Sequence, residues 1–135
     1  MSAEIIDGKM VAELLRKRVK EDVHQWCEKG NRRPFLQVIL VGDDPASIVY
    51  TGTKTKACQQ VGIETDTLVL QDTISEKELT EIIHSCNTND DIDGILVQMP
   101  LPSHLSQHSV IEAIDHRKDV DGFHPMNVGR LSLDQ

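Results

Sequence analysis

Residues 34–47 read PFLQVILVGDDPAS. The run from Phe35 to Gly42 is almost continuously apolar, which suits a strand covered on both faces; a strand with one wet face would alternate. Immediately after it, Asp44 offers an N-cap and Pro45 an N1 residue, so a helix should open there and carry Ser47 in its first turn. A buried strand passing straight into a helix is the repeating unit of a parallel sheet.

The rest of the chain repeats that unit. Upstream, Val11, Leu14, Leu15, Val19, Val23, Trp26 and Cys27 make a helical stripe from Gly8 to about Lys29, ended by Gly30 and Asn31. Downstream, Glu64–Leu70 reads as a second strand. Ser75 with Glu78 forms a capping box that launches a helix through Leu79, Ile82, Ile83 and Cys86. Asp93–Gln98 reads as a third strand, stopped by Pro100 and Pro102. A short helix is expected over Ser109–Ile114, and the stretch KDVDGFHPMNVGRLSLDQ reads as a loop and the start of a further helix. Strands alternating with helices require right-handed crossovers, so the expected fold is α/β, a three-layer sandwich with a mostly parallel sheet and helices on both faces. In such sheets ligands bind beyond the carboxyl ends of the strands, which here are GDDPAS, QDTIS and QMPLPS.

Composition narrows the function. The 135 residues suit one domain, and a net charge of −8 without a basic run argues against nucleic acid as a partner. Cys27, Cys58 and Cys86 form no C-x-x-C pair, so neither a disulfide framework nor a zinc knuckle is indicated. No stretch reaches membrane-spanning length and the first residues lack a signal-peptide pattern. The expectation is therefore no membrane partner and a cytoplasmic protein, although a mitochondrial-matrix protein after presequence removal would look the same.

On the helix that follows Pro45, Ser47, Tyr50 and Lys54 lie at spacings of three and four, so they share a face. A helical wheel gives Ala46, Val49, Ala57 and Val61 as the buried side, with Tyr50 and Lys54 at its margin. Two readings of Lys54 stay open from the residues alone. Its methylenes could follow the core edge while the ammonium reaches water, or a partly desolvated amine could exchange protons beside an aromatic ring.

The blocks VGDDPAS–Y–K–KAC–VGI, DGILVQMPLP and KDVDGFHPMNVGRL, in that order and spacing, resemble the bifunctional methylenetetrahydrofolate dehydrogenase/cyclohydrolase family over nearly the whole chain. The resemblance implies oxidation of 5,10-methylenetetrahydrofolate to the methenyl cation with NAD(P)⁺, then hydrolysis to 10-formyltetrahydrofolate. It implies that Lys54 is the catalytic lysine, that Tyr50 stacks on the folate, and that Gln98 hydrogen-bonds the lysine. It further implies that Ser47 supports this network, that Asp121 accepts hydrogen bonds from the pterin edge, and that Val97, Met99 and Pro100 shape the slot. No glycine-rich nucleotide turn occurs, so residues 1–135 are expected to be the folate-binding catalytic domain, with the family's NAD(P)-binding domain and its cofactor site outside this chain. The sequence does not fix an oligomeric state, and a homodimer of the parent enzyme is what the resemblance allows.

Other motifs are weaker. The stretch 89–94 (NDDIDG) imitates half an EF-hand loop, but Pro100 stands where a bidentate Glu is needed, so no metal is expected. His104 and His108 have i, i+4 spacing without the intervening Glu of a zinc helix. A phosphoacceptor receiver domain would need an aspartate where Gln98 stands. A non-catalytic folate-binding or assembly module remains the main alternative to an enzyme.

Overall fold

A computed structural model describes residues 7–134, which include three strands and five helices. The elements are α1 (Gly8–Glu28), β1 (Phe35–Val41), α2 (Pro45–Val61), β2 (Glu64–Leu70), α3 (Glu76–Thr88), β3 (Gly94–Val97), α4 (Gln107–Ala113) and α5 (Pro125–Ser132). All strands are parallel, in the order β2-β1-β3. The continuous apolar run therefore takes the central position, the one that must be dry on both sides.

Alternation along the strands allots residues to the two faces. Ile39, Val41, Ile95 and Val97 join Leu79 and Ile83 of α3 and Val110 of α4 in the main core. Side chains such as Ile39, Leu79 and Ile83 are wholly buried, each contributing about 1.5–3 kcal/mol. The opposite face carries Val38 and Leu40, beneath α2. No helix among the described residues is long and apolar enough to cross a membrane.

The caps foreseen at Asp44 and Ser75 both form: Asp44 Oδ2 accepts from Ser47 N at 2.8 Å, and the reciprocal Ser75–Glu78 box is complete. The helix expected at Ser109–Ile114 instead begins at Gln107, because Ser106 is its cap and accepts from Ser109 N. His108 thus lies in a helix, facing Glu112 at 3.4 Å, and not in a loop. The C-terminal stretch is more ordered than its sequence suggested, with Pro125 at N1 of α5 and His124 Nδ1 accepting from Met126 N at 3.1 Å.

The buried side assigned to α2 needs correction. Val61 is buried as expected and Ala57 is partly buried, but Ala46 is exposed, Val49 is 66% exposed, and Ser47 and Thr51 take the inward positions instead. The apolar residues of this helix are spread around its circumference and give no preferred face, so small hydroxyl side chains take the sheet side and allow close approach.

Candidate active site

Near the carboxyl ends of the strands, Lys54 in the third turn of α2 reaches towards the residue that follows β3. Leu96 and Gln98 alternate away from the main core, onto the face that α2 covers. This brings Lys54 Nζ to 3.2 Å from Gln98 Oε1. The amide's orientation is fixed by its other end, since Gln98 Nε2 donates to the Met99 carbonyl at 2.7 Å and thereby turns the oxygen towards the lysine. Gln98 is 8% exposed and Lys54 half-buried, so the amine is neither in bulk water nor sealed off.

Tyr50, one turn earlier on the same flank, is 63% exposed. Its ring offers a stacking surface that no protein group in the described residues covers with an aromatic contact. Met99 is partly buried against the core, and Pro100, joined to it by a cis peptide, is exposed at the mouth.

Two site expectations do not match the side-chain placement. Val97 is 3% exposed within the main core, so its side chain does not wall the slot; alternation sends it opposite to Gln98. Ser47 is also buried, and its Oγ has no hydrogen-bond partner among the described residues, so it does not join the Lys54–Gln98 contact.

Asp121 is exposed, in the loop between residues 119 and 124. The carboxylate that organises this loop is a different one, Asp119, unforeseen from the sequence. Its Oδ1 accepts from Gly122 N at 3.1 Å, and its Oδ2 from His124 N and Asn127 Nδ2, each at 2.9 Å. Burial acts to raise the pKa of Asp119, but these hydrogen bonds outweigh it and hold the carboxyl below its ordinary 3.8. The loop is fastened to β3 by Ile95 N donating to Lys118 O at 2.8 Å. Gly94 permits that approach, since a Cβ there would stand 2.6 Å from Val120 Cγ1.

Two side chains of the segment resembling a calcium loop are engaged by protein N–H groups. Asp93 Oδ2 accepts from Phe35 N at 2.8 Å and from Arg32 Nη1 at 2.6 Å, while Asn89 Oδ1 accepts from Asp91 N. His104 Nε2 lies 2.9 Å from the Ile74 carbonyl.

A dinucleotide pyrophosphate does not fit the strand-to-helix turn after β1. The turn after β1 carries Asp43 and Asp44, and Asp44 already occupies the helix N-terminus where a pyrophosphate would sit. Like charge would repel such a group.

Set against known proteins, residues 6–121 match the family profile described as tetrahydrofolate dehydrogenase/cyclohydrolase, catalytic domain. The bifunctional protein FolD of Sulfurihydrogenibium sp. (strain YO3AOP1) is 48% identical over 128 residues, covering 95% of this chain and 45% of that protein. Among solved structures, a methylenetetrahydrofolate dehydrogenase from the silkworm Bombyx mori superposes with a TM-score of 0.94 at 42% identity, over 98% of this chain and 46% of the other. The bifunctional FolD dehydrogenase/cyclohydrolase of Campylobacter jejuni gives 0.91 at 43% identity, over 94% and 45%. The chain spans about half the length of the relatives it matches.

Proposed function

The chain belongs to the tetrahydrofolate dehydrogenase/cyclohydrolase family by its catalytic domain, and from that membership we propose that residues 1–135 form the folate-binding catalytic part of an enzyme of one-carbon metabolism. The parent activity is oxidation of 5,10-methylenetetrahydrofolate with NAD(P)⁺ followed by hydrolysis of the methenyl cation to 10-formyltetrahydrofolate. Since the turn after β1 disfavours a pyrophosphate and no glycine-rich nucleotide turn occurs in the sequence, the 135 residues alone are not expected to carry out hydride transfer.

Hydrolysis begins as water adds to the electrophilic methenyl carbon, forming a C–O bond. The attacking water must lose a proton as it adds, N5 must gain one as its bond to that carbon breaks with the formyl group staying on N10, and the remaining O–H proton leaves to solvent as the C=O forms. A single amine at the edge of the slot can accept the first proton and deliver the second. Lys54 takes this role, and Gln98 positions it. Tyr50 stacks on the flat ring system, a contact of about 0.5–1.5 kcal/mol beyond the burial of area. Asp121 presents two oxygens to the paired donors of the pterin edge. Met99 and Pro100 border the slot, and Val97 ends the strand that leads into it.

The observation that carries this reading is the 3.2 Å contact between Lys54 Nζ and Gln98 Oε1, made across two separate elements. On the same reading the partner is a folate and not nucleic acid or membrane, the location is cytoplasmic, and the whole enzyme is a homodimer. The test is methenyltetrahydrofolate hydrolysis followed by loss of its near-ultraviolet absorbance, comparing the chain with its Lys54→Met variant. Hydrolysis above the uncatalysed rate that Lys54→Met abolishes is the expected result, with the melting temperature little changed. Equal rates in the two proteins would remove Lys54 from the chemistry. A chain that binds folate without hydrolysing the methenyl cation would favour the binding-module alternative.

A further inference from the structure

We propose that Asp119 is a positioning residue for substrate recognition: by gathering the N–H groups of Gly122 and His124 and the side-chain amide of Asn127, it fixes the turn that presents Asp121. The inference rests on the reading of Asp121 as the carboxylate that meets the pterin edge.

The turn is held from both sides. Behind it, residues 118–119 lie along β3, with an isolated parallel bridge between Ile95 and Asp119. Ahead of it, His124 caps α5 through Nδ1, and Asn127 Nδ2 is shared between Asp119 Oδ2 and the His116 carbonyl at 2.7 Å. Between these anchors the chain must reverse within a few residues, which Gly122 allows by adopting φ +70. Asp121 sits in the reversal and is exposed, so its carboxylate lies where a ligand can reach it.

Without the three donors drawn to Asp119, the backbone on either side of Asp121 would sample several conformations. A ligand that needs one of them would then have to supply the ordering free energy itself. Asp119 thus acts on the substrate only through Asp121. That distinguishes it from a residue that merely stabilises the fold.

The test is a double-mutant cycle on this chain, with 5-formyltetrahydrofolate as the probe and calorimetric titration as the readout. Asp119→Asn preserves size but replaces an acceptor oxygen with a donor. It is expected to weaken binding about tenfold, the scale of one charge-assisted hydrogen bond lost. Asp121→Asn should weaken binding at least as much. The double variant should bind no more weakly than Asp121→Asn alone, because the two residues act in series.

Unchanged affinity in Asp119→Asn, or losses that simply multiply in the double variant, would overturn the positioning role while leaving the reading of Asp121 intact. Unchanged affinity in Asp121→Asn would overturn both. Should Asp119→Asn fail to fold, hydrogen exchange in the unaltered chain decides the matter. The Gly122 and His124 amides are expected to be protected, and free exchange there alongside a protected Ile95 amide would refute the proposal.

Discussion

Lys54 and Gln98 are 44 positions apart, and their contact depends on two periodicities meeting at one edge of the sheet. The lysine's place was legible because i, i+4 spacing with Tyr50 follows from helix geometry whatever the fold. Its partner was suggested by family likeness, but period-2 alternation explains it physically. The same rule would have excluded the Val97 side chain from the slot, since consecutive strand residues point to opposite faces. Asp119 was not legible: in KDVDG two aspartates are chemically alike, and only three-dimensional closure decides which one receives the backbone donors. The role of Gln98 is open to direct trial. Gln98→Leu keeps the volume and removes the acceptor, so methenyl hydrolysis is expected to fall about 100-fold, while the unfolding midpoint in urea barely moves. Stopped-flow absorbance and a denaturation curve would check the two halves of that expectation.

At the level of elements, strands and early helices followed closely from apolar runs and capping residues, and β1 and β2 match their expected limits almost residue for residue. What the pattern did not reveal was the orientation of α2. A wheel weighted by apolarity fails when Ile48, Val49 and Tyr50 occupy three successive directions, and here the sheet selects Ser47 and Thr51 because small side chains let the helix lie close. The buried hydroxyls of Ser47 and Thr51 lack partners among the described residues, which makes this packing a compromise. Gly52 adds to it: the helix runs unbroken through that residue, and a Cβ there would meet nothing within 4 Å. Gly52→Ala is therefore expected to stabilise the chain by about 1 kcal/mol, raising the melting temperature by about 3–5 °C. Calorimetry of the purified variant would measure it.

Across the whole molecule, carboxylates join segments that are distant in sequence. Burial raises the pKa of Asp93, but hydrogen bonds from Arg32 and the Phe35 backbone, together with the charges of Arg32 and Lys118, leave it below 3.8. Asp119 is depressed as well. For groups shifted in this direction, the stabilisation is fully present above the unfolded-state value and disappears as pH falls through the lower folded-state values. The melting temperature is expected to stay level from neutrality to about pH 5, then drop steeply below 3.8. In Asp93→Asn the plateau should sit lower and the acid drop should be shallower. Scanning calorimetry across that pH series provides the check.

The sheet itself is lopsided. Along β3 the chain's own residues 118–119 close the border, whereas no strand among the described residues lies beyond β2. A foreign peptide seeking to extend the sheet would therefore meet only β2, whose early residues Glu64 and Asp66 are exposed and negatively charged. That charge discourages chain-to-chain stacking at one end. The other end, where Val69 is 63% exposed, has no such guard, making it the place where crowded or partly unfolded copies would first adhere.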